Sequence, residues 1–360
     1  MPATKLAELT PELSLWLRSA ASVLDRHEQV FIDLCRRILE QPSPAIDNTD
    51  DSSNIDHPIS RITQALLNFW FRRPLSDNDG LPDDVGPLLT QVCDTPSDPY
   101  RAGRGILALH LITLFRVAPA WTQQHLLPLF NWSNPAEARA LWGGFLWSPR
   151  HYRPLLVAFK ARFLEAAHHY DELGDRAEMY AALLTYAALD RGDTFTAREL
   201  YDAFSSLPLA GLQASVSTLV RAQDASGEQR EASWKNRIAP FWHDVWPKSH
   251  DRTSKEISEQ LARLAIIAQG EFPAAVQELQ DWFAPQRYPF IIIHLLRKSG
   301  LCDRFPQDAI QLLSAIIDEH SQLPEDLAEC LKSIVQAWPE ARHDTRYQRL
   351  DEYLHRKPGL

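Results

Sequence analysis

Apolar residues recur every three to four positions along much of the chain. Ile62, Leu66, Leu67, Phe69 and Trp70 form one series, and Leu155, Leu156, Phe159, Phe163, Leu164 and Ala167 form another. On a helix of about 3.6 residues per turn, each series becomes a single apolar stripe. Helix-start signals agree with this period: Asn134 is placed to cap a helix with Pro135 in its first turn and Glu137 behind it, and Thr253 with Glu256 has the spacing of a capping box. No run of alternating Val, Ile and Thr interrupts the pattern, and the strand-like stretch Phe290 to His294 lies inside a longer helical one. The pattern predicts an all-α protein. Two segments fall outside it, Gln41 to His57 and Pro74 to Pro99, both rich in turn formers, and both read as loops. The first separates a short N-terminal helical region (1–40) from the rest and is expected to be an acidic flexible linker (41–57).

The C-terminal third repeats itself. Phe272-Pro273, Phe305-Pro306 and Trp338-Pro339 recur at a spacing of 33 residues, each after an apolar helix, and Leu279 matches Leu312 at the same spacing. An aromatic followed by proline suits the turn of a helical hairpin, because proline ends one helix and presets the first turn of the next. A period of this length is that of stacked helix pairs, and the polar final copy is what a terminal cap requires. The expected architecture is a helical-repeat (HEAT/TPR-like) α-solenoid over 251–360, preceded by an irregular helical module over 58–250. A plain helical bundle with coincidental turns is the alternative. The aromatics Phe272, Phe305 and Trp338 are expected at equivalent buried positions.

Charge and cysteine usage narrow the partners. The 360 residues carry 37 Lys and Arg against 47 Asp and Glu, a net charge of −10, which disfavours a sequence-independent grip on nucleic acid except through a local basic patch. Cys35, Cys93, Cys302 and Cys330 follow no paired metal spacing, and no signal peptide precedes them, so a reduced cytoplasmic location is expected. The longest apolar runs, near Gly105 to Phe115 and Pro289 to Leu296, are shorter than the roughly 20 residues of a membrane span.

No motif names a reaction. Gly103-Arg104-Gly105 with Ala108 has the spacing of a dinucleotide loop, but Thr95 to Pro99 cannot be the strand that must precede one, and a helix start is the preferred reading. Asp77, Asp79 and Gly80 hint at a calcium loop whose glycine comes too early and whose closing glutamate is replaced by Leu88. His168 and His169 would point about 100° apart on a helix, which is poor geometry for one metal. No catalytic residue, metal ligand or cofactor site is therefore assigned. The concentrated signal is aromatic. One knot runs from Trp121 through Trp142 to Trp147, with Arg150 and Arg153 behind it; a second holds Arg230, Trp234, Arg237, Trp242, Trp246 and Lys248. Such tryptophans commonly fill gaps between helices, but Trp with Arg is also the composition of interaction hot spots. The candidate partner-binding residues are these six together with Trp147, Arg150 and Arg153.

Three strings carry a resemblance: Trp142-Gly143-Gly144-Phe145-Leu146-Trp147-Ser148-Pro149-Arg150; Trp234-Lys235-Asn236-Arg237-Ile238-Ala239-Pro240-Phe241-Trp242 with Trp246-Pro247-Lys248; and Asp344-Thr345-Arg346-Tyr347-Gln348-Arg349-Leu350-Asp351-Glu352-Tyr353. Over roughly Pro58 to Arg356 the chain resembles the helical C-terminal region of large bacterial sirtuin-type proteins, a group that includes anti-phage defence factors. The resemblance implies a region that restrains an NAD-hydrolysing domain or recognises a phage component. The chain departs from that plan at its N-terminus, where the glycine-rich loop and alternating strands of a sirtuin domain are missing, so no NAD site is carried over. The expected function is a non-catalytic interaction module, a sensor, regulator or scaffold of a defence system, with a defence effector or phage protein as partner. An unrecognised hydrolase or nuclease, its acidic residues drawn from separate helices, is the alternative.

Overall fold

A computed structural model describes residues 3–40, 56–94, 98–190, 192–249 and 252–355, and these form helices and turns with no strand among them. The protein is all-α. It divides into two compact units, Met1–Tyr180 and Ala181–Leu360, the division falling inside the helix Ala177–Leu189. Of the expected linker, residues 41–55 lie outside the described residues, and its last two, Asp56 and His57, lead into the next helix. His57 is buried and caps Pro58–Trp70, its Nδ1 accepting from the Ile59 amide at 3.2 Å.

In the first unit, the helices Ala3–Ala20, Pro58–Trp70, Asp98–Leu109 and Pro135–Phe145 pack each against the next. Beside them Glu28–Glu40, Gly86–Asp94 and the turn Thr122–Leu126 make a second row. The stripe on Pro58–Trp70 is as expected, with Ile62, Leu66, Leu67, Phe69 and Trp70 all buried. Gly86–Asp94 corrects the reading of Pro74 to Pro99 as loop: its turn-forming neighbours conceal a nine-residue helix that buries Leu88, Leu89, Val92 and Cys93. The Gly103 and Gly105 pair sits inside Asp98–Leu109 rather than at its start. A Cβ on Gly103 would lie 2.7 Å from Thr63 Oγ1, and one on Gly144 would lie 2.1 Å from the Gly105 carbonyl oxygen. These glycines let three helices approach closely. Across the same contact, Arg104 donates to Glu137 from Nε (2.5 Å) and Nη2 (2.7 Å), both side chains being buried. Asn134 caps Pro135–Phe145 as expected, accepting from the Glu137 amide at 3.3 Å. The stripe from Leu155 to Ala167 is broken at Phe159 (φ −124°, ψ 27°) into Arg153–Ala158 and Lys160–Glu165. Leu155, Leu156, Phe159 and Phe163 are buried all the same.

The second unit repeats the plan more regularly. Leu209–Asp224, Lys255–Ile267, Phe290–Ser299 and Asp326–Ala337 pack in succession, and Phe272–Leu279, Pro306–Ile316 and Thr345–His355 form the accompanying row. Gly300, at φ +69°, ends Phe290–Ser299 in the left-handed region that glycine adopts without strain. Lys255–Ile267 is capped by Ser254, which accepts from the Ile257 amide, one residue later than the expected Thr253. A capping box does occur elsewhere, between Thr196 and Glu199. The aromatic–proline positions are only partly equivalent. Phe305 and Trp338 share a non-helical conformation (φ −139°, ψ 64° and φ −138°, ψ 85°), the helical region being disfavoured before proline. Phe272 is helical because the 3-10 turn Gln269–Glu271 runs straight into its helix. Phe272 is buried, whereas Phe305 and Trp338 are half-buried. Phe305 lies on Phe272 with ring centroids 6.4 Å apart.

Candidate functional site: a depression beside a π-helical turn

The segment Arg230 to Lys248 is shaped by Pro240. Proline cannot donate a backbone hydrogen bond, and in an α-helix its ring meets the carbonyl four residues back, here that of Asn236. The chain answers with a π-helical turn over Trp234–Ile238, in which the Ala239 amide reaches back to the Trp234 carbonyl. This turn is flanked by Arg230–Ser233 and Ala239–Asp244. It buries Trp234 and Ile238 and sends Lys235 outward to Glu271, 2.8 Å away.

The aromatic half of this knot is core. Trp242 and Trp246 are buried and stacked, centroids 4.9 Å apart and planes within 16°, although Trp246 lies just beyond the helix that carries Trp242. Trp282 meets both edge-on, at 5.5 and 6.4 Å. Burial removes Trp234, Trp242 and Trp246 from any partner surface, which corrects their reading as contact residues. The basic half reaches solvent. Arg230 pairs with Asp224 at 3.1 Å. Lys248 is exposed, with Nζ 5.0 Å from the Trp242 ring centre, and desolvation holds its ammonium below the usual lysine range against the opposing pull of Glu278 and Asp244.

Arg237 takes a different position. Its Nε donates to the Leu189 carbonyl at 3.3 Å, at the end of the helix Ala177–Leu189. The side chain lines a depression of about 540 Å³ together with Tyr186, Ser226, Gln229, Ser233 and Asn236. No carboxylate among the described residues pairs with Arg237. Ser233 is 7% exposed, and its hydroxyl has no hydrogen-bond partner; the Oε1 of the buried Gln223 has none either, while Gln223 Nε2 donates to the Arg230 carbonyl at 2.8 Å. Sequence reasoning reached Asn236 and Arg237 through the knot. It missed Ser233, which lies inside the knot, and Tyr186, Ser226 and Gln229, which lie outside it.

The other knot, in the first unit, divides the same way. Trp142 is buried among Phe130, Phe145, Phe159 and Tyr180. Trp147 is 52% exposed, with the Arg176 guanidinium 4.2 Å above its ring. Arg150 and Arg153 are exposed. The remaining motifs resolve into structure. Asp77 pairs with Arg116 at 2.9 Å, and Asp79 accepts from the Ser76 amide. His169 stacks on Trp132 at 4.3 Å and shares a hydrogen bond with Glu172. Among the described residues no group of three or more His, Cys, Asp or Glu is arranged to hold a metal ion, and no helix is long and apolar enough to cross a membrane. All four cysteines are buried, and desolvation raises the Cys35 and Cys93 thiols far above the ordinary thiol range, which makes them poor nucleophiles.

Over 126 residues the chain is 26% identical to the uncharacterised protein y4cA of Sinorhizobium fredii (strain NBRC 101917 / NGR234), a match covering 34% of this chain and 10% of that protein. No family model matches the chain, and no solved structure matches it.

Proposed function

We propose that the chain is a protein-interaction module built on stacked helix pairs. The observation that supports it is the packing order: in each unit the helices of a row contact the next in succession. This is the organisation of helical-repeat proteins, whose extended faces recognise partners. The basic edge of the second knot, Arg237 and Lys248, is the proposed contact. The sirtuin-type resemblance suggests the partners to try first, an NAD-hydrolysing defence effector or a phage protein, with this chain as sensor, regulator or scaffold.

The test is complex formation in purified components. The chain is mixed with each protein encoded by its neighbouring genes, and co-elution is followed by size-exclusion chromatography. One stoichiometric complex is expected. Changing Arg237 and Lys248 to Ala should leave the chain folded, at a cost of about 0.5–1.5 kcal/mol for the lost Arg237 to Leu189 hydrogen bond and little for the exposed Lys248, and should abolish that complex. Co-elution untouched by the double substitution would remove this edge from the interface. Turnover of NAD or nucleic acid by the purified chain, with no complex formed, would favour an enzyme instead.

A further inference from the structure

We propose that the depression at Arg237 binds a carboxylate presented by a protein partner, with Ser233 as a second donor. The inference rests on the interaction reading and assigns it a chemistry. Arginine carries five N–H donors in a planar fork. One of Arg237's is spent on the Leu189 carbonyl, and that bond fixes the guanidinium at the edge of the depression while leaving both Nη groups for a ligand. Of the other polar lining residues, Tyr186, Gln229, Ser233 and Asn236 can each donate a hydrogen bond, whereas the Ser226 hydroxyl already donates to the Ala222 carbonyl at 2.9 Å, and none is an acid. Three acids flank the lining in sequence: Asp224 is held by Arg230, Glu231 accepts from the Gly270 amide at 3.0 Å, and Glu228 is exposed to solvent.

Two further observations point to a ligand. A buried hydroxyl without a partner is costly to keep, and Ser233, one of the lining residues, keeps one. A ligand oxygen entering there would satisfy it. The lining also stands on a π-helical turn, a local irregularity that frequently accompanies functional sites. The chemistry favours carboxylate over phosphate. A lone guanidinium flanked by neutral donors matches a planar anion of single charge, which its fork grips with two parallel bonds. A dianionic phosphate would draw on a second cation, and this chain is net negative.

The carboxylate has two possible origins, an acidic side chain or a chain terminus, and the test separates them. The full chain is labelled with 15N at arginine and asparagine, and the Arg237 Nε–H and Asn236 side-chain amide signals are followed during titration. Four probes are used: a blocked pentapeptide of glycine with one central glutamate, the same peptide with glutamine, pentaglycine with a free C-terminal carboxylate, and inorganic phosphate. At least one of the two carboxylate peptides is expected to shift both signals saturably while the glutamine peptide does not, and whichever binds tighter identifies the source. Arg237→Gln should weaken that binding by about tenfold, as loss of a charge-assisted hydrogen bond implies, and Arg237→Lys should not restore it fully. Ser233→Ala should weaken binding several-fold without lowering the melting temperature, because it removes a partnerless buried hydroxyl. Equal shifts with the glutamine peptide, no saturable shift with either carboxylate, or tighter binding of phosphate overturns the proposal. A partner complex that forms while both carboxylate peptides fail would sink the carboxylate site and leave the interaction reading standing; peptide binding without any partner complex would do the reverse.

Discussion

Among the described residues each unit contains one π-helical turn followed by a proline, and the two turns end differently. In the first, the Leu127 amide reaches back to Thr122 and Pro128 follows; in the second, the Ala239 amide reaches back to Trp234 and Pro240 follows. The cause is the same: a proline ring that would strike the carbonyl four residues earlier is accommodated by widening the turn before it. Both then bury an aromatic two residues beyond the proline, Phe130 and Trp242. What differs is the polar side chain each turn presents. His125 is held on both sides, its ring 5.7 Å from that of Trp121 and its Nδ1 2.8 Å from Asp94. Arg237 is held by one backbone carbonyl and otherwise borders an open depression. An irregular turn is therefore not by itself a mark of function. The informative feature is a polar group that the fold positions and leaves unpaired.

The most forceful way to break the parallel is to remove the anchors. Phe130→Ala and Trp242→Ala should each cost about 3–5 kcal/mol, the range for emptying a buried aromatic site, as read by urea denaturation. A midpoint unchanged in either variant would show that its turn is not held by the core beneath it. Phe305→Ala, at a half-buried position, should cost clearly less than either.

A second test sharpens the contrast between the units through pH. In the first unit, burial depresses the pKa of His57, with Arg61 adding to the effect, and burial does the same to His110. Folding therefore favours the neutral rings, and the unfolded chain binds protons first. Stability is at its full value above the unfolded histidine pKa of about 6.5 and falls as pH drops through that value toward the lower folded pKa. Protonation of His57 Nδ1 would also break its cap to the Ile59 amide. The described histidines of the second unit, at 243, 294, 320, 343 and 355, are exposed. Between pH 7 and pH 5, hydrogen-exchange protection factors, which are referred to the intrinsic rate at each pH, should thus fall around Pro58–Trp70 well before Lys255–Ile267, and His57→Asn, which can still cap, should remove part of that sensitivity. An equal fall in both units would contradict this assignment.

The smallest effects belong to the prolines. Pro128→Ala and Pro240→Ala restore a donor while loosening the unfolded chain, so each should change stability by less than about 1 kcal/mol. The structure of either variant should show the widened turn closing to an ordinary α-helical one. A turn that stays wide would mean that packing, through Trp234 and Ile238 in the second unit, holds it open.

Local signals in the sequence were legible where a few neighbouring residues settle the outcome. Asn134, Pro135 and Glu137 make a helix start with no help from the rest of the fold. Thr253 and Ser254 are both capping residues, and nothing local chooses between them; the structure selects Ser254, whose Oγ also accepts from Gln213 Nε2 at 3.0 Å. Gly86–Asp94 was hidden because proline, glycine and aspartate dominate its surroundings, while four buried residues decide its conformation. Phe159 kept its place in the apolar stripe but not in a continuous helix, since its ring joins those of Phe130, Trp142 and Phe145. The tryptophans of the second knot announced an aromatic concentration, yet composition cannot tell a buried ring from an exposed one. The depression was the least legible of all, because Tyr186 stands far from Arg237 in sequence and is brought to it only by tertiary packing.

The stacked pair Trp242 and Trp246, with Trp282 against its edges, gives Ala181–Leu360 an optical signature of its own. Two indoles stacked this closely couple their electronic transitions, and where those transitions are skewed to one another the pair adds to the ultraviolet circular dichroism a paired band that isolated tryptophans lack. In Met1–Tyr180 the buried Trp142 is instead surrounded by phenylalanine and tyrosine rings. Folding, loosening and partner capture in one half of the molecule can thus be followed by light alone, without a label and without disturbing the other half.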